Sequence, residues 1–295
     1  MSETLAGLRR KMSSAGDLQS VVRTMKALAA SSIGQYERCL HSLTDYQRGV
    51  ELGLSACLRE LAPKDPLAPR GREASAGPIS AVVFGSDQGL VGRFNEAVAD
   101  DALKFLGPLG GKAEVWAVGE RVHGRLSSAG LSMAGLFQVP SSVKGIAPLV
   151  GQMLVESEGR PGMRAASELH LFYNSTAPGA GCTPIRQQLL PLDAEWMRKL
   201  SELAWPSSAL PQVLGGGATT LGTLIREHLF VSLFRACAES LAGENSTRLA
   251  AMERADKNID ELLANLQRHF HALRQSGIDE ELFDVVSGFE ALAKR

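Results

Sequence analysis

Proline is confined to the middle of the chain: the first is Pro63, the last Pro211, and all 13 lie between them. A proline inside a helix removes a backbone hydrogen bond and clashes with the preceding turn, at about 3 kcal/mol. The two proline-free ends are therefore candidates for long helices. In the first end, Ile33, Tyr36, Leu40, Leu43, Gln47, Val50, Leu54, Cys57 and Leu61 recur at alternating steps of three and four, and Val22 and Ala29 extend one row backwards. This is a heptad seam with Gln47 as its polar exception. A helix over 4–60 would be roughly 85 Å long at about 1.5 Å per residue, whereas a globule of this chain length is only about 50 Å across. Such a helix must project from any globular body.

The second end has the same form. Met252, Ala255, Ile259, Leu262, Leu266 and Leu273 keep heptad spacing, with His269 in the seam position between the last two. Leu221, Ile225, Leu229, Leu233, Cys237 and Leu241 precede them, and Ile278, Leu282, Val285, Val286, Phe289 and Leu292 follow in a shifted phase after Gly277. A narrow apolar stripe on an otherwise charged helix requires a partner. The simplest one is the N-terminal helix, packed antiparallel as a two-stranded coiled coil with the longer C-terminal segment overhanging.

Between the ends, "ISAVVFG" (79–85), "AEVWAVG" (113–119), "SELHLFYNS" (167–175) and "CTPIRQQLLP" (182–191) read as strands. Helix-like stretches near 94–107, 120–129 and 143–158 separate the first three. The alternation predicts a small doubly wound, Rossmann-like α/β domain. The expected division is an N-terminal coiled-coil helix (1–61), a Pro/Ala/Gly linker (62–78), the α/β domain (79–205), a second linker (206–217) and a C-terminal coiled-coil helix (218–295).

Chemistry is hard to find. "GSDQGLVGRFN" (85–95) follows a strand as phosphate-binding loops do, but a dinucleotide fingerprint requires G-x-G-x-x-G. Here Asp87 stands where the first glycine of the triplet ending at Gly92 belongs, and its carboxylate would repel a phosphate. A P-loop requires Lys and then Ser or Thr, where this chain has Arg93 and Phe94. The glycines are expected to serve a tight strand-to-helix turn. No G-x-S-x-G elbow occurs, Ser86 has no histidine near it in sequence, and Cys182 reads as a small strand residue. His269 and His271 are two apart on a helix and point to different faces; His41, His123, His170 and His228 are scattered. No catalytic, cofactor-binding or metal-binding residues are predicted.

Bulk properties narrow the classes. A net charge of −1, from 31 Lys+Arg against 32 Asp+Glu, gives no basic field for nucleic acid or anionic lipid. Cys39, Cys57, Cys182 and Cys237 form no C-x-x-C pair and fit a reducing compartment. The N-terminal "MSETLAGLRRKM" reads directly as helix, with no secretory or transit character. No apolar run approaches the ~20 residues of a membrane span.

The C-terminal block "ENSTRLAAMERADKNIDELLANL…ALRQSGIDEELFDVVSGFEAL" resembles the end of the gamma subunit of F-type ATP synthases. The matching positions are Glu244, Arg248, Ala251, Met252, Ala255, Asn258, Leu262, Arg274, Gln275, Ile278, Glu281, Leu282, Val286, Ser287 and Gly288. "LRRKMSSAGDLQSVVRTMKALAAS" resembles the family's first helix at Arg9 or Arg10, Gln19, Met25, Ala29, Ala30 and Ser31. The 85–95 loop is similar to the family's S-D-R-G-L-C-G-G-x-N at Ser86, Asp87, Gly89, Leu90, Gly92 and Asn95, and "PIRQQLLPL" to the strand before its second linker. Gln88, Val91 and Arg93 depart from the usual Arg, Cys and Gly. The stretch Ser31, Ser32, Ile33, Gly34 lacks lysines common there. The pattern is similar to divergent, alternate or sodium-linked bacterial gamma chains.

The resemblance implies a central rotor shaft that carries ion-driven rotation of a membrane c-ring to an alpha/beta hexamer. Its implied partners are alpha, beta, epsilon and the c-ring, with no nucleotide or nucleic acid bound by the chain itself. The implied location is the cytoplasmic side of a bacterial inner membrane, held peripherally through the complex. Arg274 and Gln275 match positions that hydrogen-bond a catch loop of the surrounding ring. Ile278, Leu282 and Val286 are further expected partner contacts, the overhang carrying Leu282, Val285, Val286, Phe289 and Leu292 would suit an apolar bearing, and Met25 matches a position facing a beta lever segment, with packing in the seam as its alternative role. A non-rotary coiled-coil adaptor with an α/β head is the alternative, and an enzyme of the doubly wound class stands third.

Overall fold

The computed structural model describes residues 4–61, 79–109, 112–159, 168–177, 181–209, 211–214 and 217–293. The 62–78 linker lies outside the described residues, as do positions 210, 215 and 216 of the second linker. The elements are α1 (Leu5–Leu61), β1 (Ile79–Phe84), α2 (Phe94–Leu106), β2 (Ala113–Val118), α3 (Glu120–Ser128), β3 (Met133–Phe137), α4 (Ile146–Gly159), β4 (Glu168–Ala177), β5 (Gly181–Leu190), α5 (Ala194–Glu202) and α6 (Gly217–Ala293). Packing divides the chain into Met1–Ala29 with Leu249–Arg295, and Ala30–Arg248. Both dividing points fall inside long helices.

The first unit is a two-helix pair. Along α1 a strict seven-residue row is buried, which here contributes Leu8, Ala15, Val22 and Ala29. Against it lie Met252 and Ile259, with Ala255 and Leu263 partly buried beside them. Full burial of a Leu, Ile or Met side chain contributes about 1.5–3 kcal/mol. The strands of the pair run antiparallel: Gln19 Nε2 donates to Asp256 and Asp260, and farther along Arg9 lies 5.3 Å from the centroid of the Phe270 ring.

The C-terminal seam departs from the expectation at two positions, each by one residue. Leu262 is 48% exposed and His269 is exposed, while Leu263 and Phe270 are partly buried. Adjacent leucines at 262 and 263 allow either step. The choice made here turns the Phe270 ring inward, where Arg9 covers it, and leaves the more polar imidazole outside. It also places Asp256 beside the seam, where Arg23 Nε donates to it at 3.1 Å and Lys26 Nζ lies 3.7 Å away.

The second unit holds a five-stranded sheet in the order β3-β2-β1-β4-β5. β1 pairs parallel with β2 and β4, β2 parallel with β3, and β4 antiparallel with β5. Side chains alternate across a strand, so β1 feeds two cores. Ala81 and Val83 pack with Val98, Ala102, Val122 and Leu126 of α2 and α3. Val82 and Phe84 pack on the other face with Ile146, Val150 and Met153 of α4, and with Tyr36 of α1 and Leu233 and Cys237 of α6. A strand buried on both faces reads as a continuous apolar run, as "ISAVVF" does.

The long helices pair antiparallel in this unit too. Leu43, Val50 and Leu54 of α1 meet Val231 of α6 and Leu200 of α5, and the Tyr46 hydroxyl donates to Glu227. Gly243 lets α6 approach the sheet: a Cβ there would lie 2.8 Å from Cys182 Sγ. The doubly wound domain with its helical pair is therefore as expected. Two elements were not anticipated, the edge strand β3 and the helix α5, whose Asp193 caps it by accepting from Glu195 N at 3.0 Å.

Candidate functional site

The strand order reverses beside β1, and open α/β sheets bind ligands outside the carboxyl ends of the strands at such a point. The 85–95 loop lies there, and its side chains close the place from within. Asn95 Oδ1 accepts from Ser86 N at 2.9 Å, Asn95 Nδ2 donates to Ser86 Oγ at 2.8 Å, and Ser86 Oγ donates to the Gln88 carbonyl at 2.8 Å. Asp87 is a strap. Its Oδ1 accepts from Glu120 N at 3.0 Å, at the start of α3, and its Oδ2 accepts from Val139 N at 2.9 Å, just after β3. A carboxylate at a helix start satisfies a free N–H and favours the helix dipole.

The glycines of the loop make a turn. Gly92 has φ 55°, and Leu90 holds φ 63° although it is not glycine. The neighbouring Gly119, at the end of β2, has φ 112°, and a Cβ on it would lie 2.8 Å from the backbone of Ser86. The loop and the next strand's exit are thus packed backbone to backbone. The carboxylate of Asp87 faces amides, in the position where a dinucleotide fold presents its glycines to a pyrophosphate.

Beside the strap is a cavity of about 210 Å³, lined among others by Ser32, Tyr36, Asp87, Gln88, Glu244 and Arg248. Arg248 Nη2 donates to Glu244 Oε1 at 2.7 Å, with side chains 13% and 8% exposed. Burial raises the Glu244 carboxyl above its ordinary value against the pull of Arg248, and the charge of Asp87 adds to the rise. Sequence reasoning selected both residues as family positions but not as a buried ion pair facing Asp87.

The positions expected to meet partners lie in the first unit. Arg274 and Gln275 are exposed on α6, and beyond them Ile278, Leu282 and Val286 are 54%, 62% and 47% exposed. Phe283, Val285 and Phe289 are exposed with them. Apolar side chains around this segment therefore face outward within their unit, as in surfaces made for contact. Met25 is different: it is partly buried against Ala15, Val22, Met252 and Ile259. Among the described residues no three His, Cys, Asp or Glu side chains gather as a metal site, and no helix is long and apolar enough to cross a membrane.

The sequence profile of the family described as ATP synthase matches residues 4–292. The chain belongs to the ATP synthase family. Within that family it is similar to curated proteins named ATP synthase gamma chain. The one from Syntrophus aciditrophicus (strain SB) is 28% identical over 306 residues, covering 98% of this chain and 99% of the relative. The one from Mycolicibacterium paratuberculosis is 26% identical over 309 residues, covering 99% of each. The fold is similar to a chain in the Euglena gracilis mitochondrial ATP synthase OSCP/F1/c-ring structure, with a TM-score of 0.63 at 15% identity, covering 98% of this chain and 94% of that one. It is also similar to one in the Tetrahymena thermophila mitochondrial ATP synthase central stalk/c-ring structure, with a TM-score of 0.54 at 19% identity, covering 80% and 99%. The ATP synthase gamma resemblance noted at the two termini, the 85–95 loop and the strand before the second linker is thus borne out over the length of the chain.

Proposed function

We propose that this ATP synthase family chain is the gamma subunit, the central rotor shaft of a rotary F-type ATP synthase. The observation that carries the reading is an end-to-end match to gamma chains in a molecule whose two terminal helices pair antiparallel. Two helices joined by a buried seam resist bending and twisting better than one, which suits transmission of torque. In this reading the chain performs no catalysis of its own. It turns with a c-ring beside epsilon, and the asymmetric shaft drives the sites of an alpha/beta hexamer through binding, synthesis and release. Attachment to the cytoplasmic face of a bacterial inner membrane is then peripheral and passes through the complex.

The exposed segment of α6 supplies the contacts with the hexamer. Arg274 and Gln275 offer donors to a loop of the surrounding ring, and Ile278, Leu282 and Val286 offer an apolar sliding surface. Met25 serves by holding the seam, since it packs against Met252 and Ile259. The test is co-expression with alpha, beta and epsilon subunits, followed by purification and ATPase assay. The reading requires a stoichiometric ATPase, and absence of such a complex would sink it and favour a non-rotary adaptor. Within the complex, Arg274→Ala is expected to lower turnover about tenfold or more, as for a lost charge-assisted contact of about 1.5–3 kcal/mol, with no change in the melting of the chain.

A further inference from the structure

The Glu244–Arg248 pair is incomplete. Glu244 Oε1 is taken by Arg248, but Glu244 Oε2 is buried with no hydrogen-bond partner among the described residues, and so is Arg248 Nε. A buried carboxylate oxygen left without a donor is costly, and such groups in folded proteins are nearly always satisfied by something. Both groups belong to residues that line the 210 Å³ cavity beside the Asp87 strap. The charge there is unbalanced: Asp87 and Glu244 carry two carboxylates, and Arg248 is the one cation among the lining residues.

The rest of the lining extends the same preference. Asn245 Nδ2 donates one of its two N–H groups to the Leu241 carbonyl at 2.8 Å, and its amide oxygen adds an acceptor to the lining. Gln88 and the Tyr36 hydroxyl supply further oxygens. Ser32 and Gln88, both in the lining, are two of the positions where the chain departs from the gamma pattern, and both are uncharged. The cavity therefore presents several oxygen acceptors and a net negative charge, and its one cation is Arg248, whose Nε is an unmet donor.

We infer that this cavity is a socket for a lysine side chain of a subunit that docks on this face. A lysine fits better than an arginine. The guanidinium fork is matched to two carboxylate oxygens, and only one is free here. An ammonium is a point charge with three donors, suited to Glu244 Oε2 together with neutral oxygens around it. The inference rests on the rotor reading, which supplies the docking subunits. It adds to that reading a specific attachment point at the α/β domain.

The test uses the complex co-expressed with alpha, beta and epsilon. A zero-length carbodiimide joins carboxylates to lysines in contact, and peptide mass spectrometry is expected to show Glu244 joined to a lysine of another subunit. Glu244→Gln is expected to abolish that product and to speed dissociation of that subunit at moderate salt about tenfold, as for truncation of a buried charge pair. Ser32→Lys with Gln88→Arg supplies cations from within the chain. It is expected to speed dissociation likewise, while the chain itself melts no lower than the parent, which separates loss of docking from misfolding. A complex that assembles without the Glu244 product, or in which both variants dissociate within twofold of the parent, overturns the socket and leaves the rotor reading standing. Failure of any complex to form overturns both.

Discussion

Asp87→Ala is expected to loosen the α/β domain by roughly 2–3 kcal/mol. The substitution removes both acceptors of the strap. Loss of the contact to Glu120 N, at the first turn of α3, is a lost helix cap and costs about 1 kcal/mol. Loss of the contact to Val139 N strands a partly buried amide, at about 1–2 kcal/mol. In a unit of this size each kcal/mol lowers the midpoint by about 2–4 °C, so the shift is roughly 5–10 °C. The three tryptophans, Trp116, Trp196 and Trp205, all fall in the Ala30–Arg248 unit. Thermal melts followed by tryptophan fluorescence therefore report this unit and not the two-helix pair. Asp87→Asn keeps one carbonyl acceptor and should lose about half as much. Melting of Asp87→Ala within 1–2 °C of the parent, or equal losses in the two variants, would refute the strap.

Gly119→Ala should be worse, by about 3 kcal/mol or more, because the φ of 112° strains any L side chain and the Cβ would meet Ser86 backbone that cannot swing away; an unshifted fluorescence melt would count against it. Asp256→Asn should weaken the two-helix pair in a pH-dependent way. Burial raises the Asp256 carboxyl, but the hydrogen bond and charge of Arg23, with Gln19 and Lys26, outweigh it and hold the group below its ordinary value. A depressed carboxyl contributes stability above its unfolded value of about 3.9 and loses it as pH falls through the folded value. Parent and variant should thus differ in protease resistance of α1 and α6 at pH 7, and the difference should shrink as pH falls below about 3.9; a difference that stays constant as the pH is lowered refutes the linkage. Burial pushes the Cys182 thiol up to about 11, against a hydrogen bond from Thr247, and pushes Cys237 up further. With roughly one part in a thousand thiolate at pH 8, Cys182 should resist iodoacetamide in the folded chain and react in urea; alkylation at the unfolded rate would show the site to be open.

The long helices were legible because a heptad row is a local and repeated signal. One row of α1 is buried at Leu8, Ala15, Val22, Ala29, Tyr36, Leu43, Val50 and Cys57, and six of those eight residues stand out from spacing alone. Register was less legible where two apolar residues adjoin. Leu262 and Leu263 satisfy the pattern equally well, and the choice between them is made at Phe270, by a ring that Arg9 covers from the other helix. The edge strand β3, "MAGLF", was missed because it has no β-branched residue and contains a glycine. Gly135 is there for packing: a Cβ on it would lie 2.4 Å from the Trp116 ring, and no local pattern carries that information.

The candidate site shows the same limit more sharply. Sequence spacing excluded a phosphate loop because Asp87 is a carboxylate in the wrong place, but that reasoning gave Asp87 only a negative role. Its positive role depends on amides 33 and 52 residues away, which become neighbours only once β2 and β3 have joined the sheet. The same distance hid the cavity. Ser32 belongs to α1, Gln88 to the turn after β1, and Glu244 to α6, so two departures from the gamma pattern looked unrelated along the chain. Folded, they line one cavity with a buried carboxylate, and an uncharged residue at each is one physical condition rather than two substitutions. Removing nearby cations while keeping a buried carboxylate raises the cost of leaving that carboxylate unpaired. The chain can then be completed only by a cation from outside or by loss of the charge. Glu244→Gln separates these alternatives: if the carboxylate is protonated and idle, the amide should stabilise the isolated chain and leave the complex unchanged, whereas a socket loses its partner.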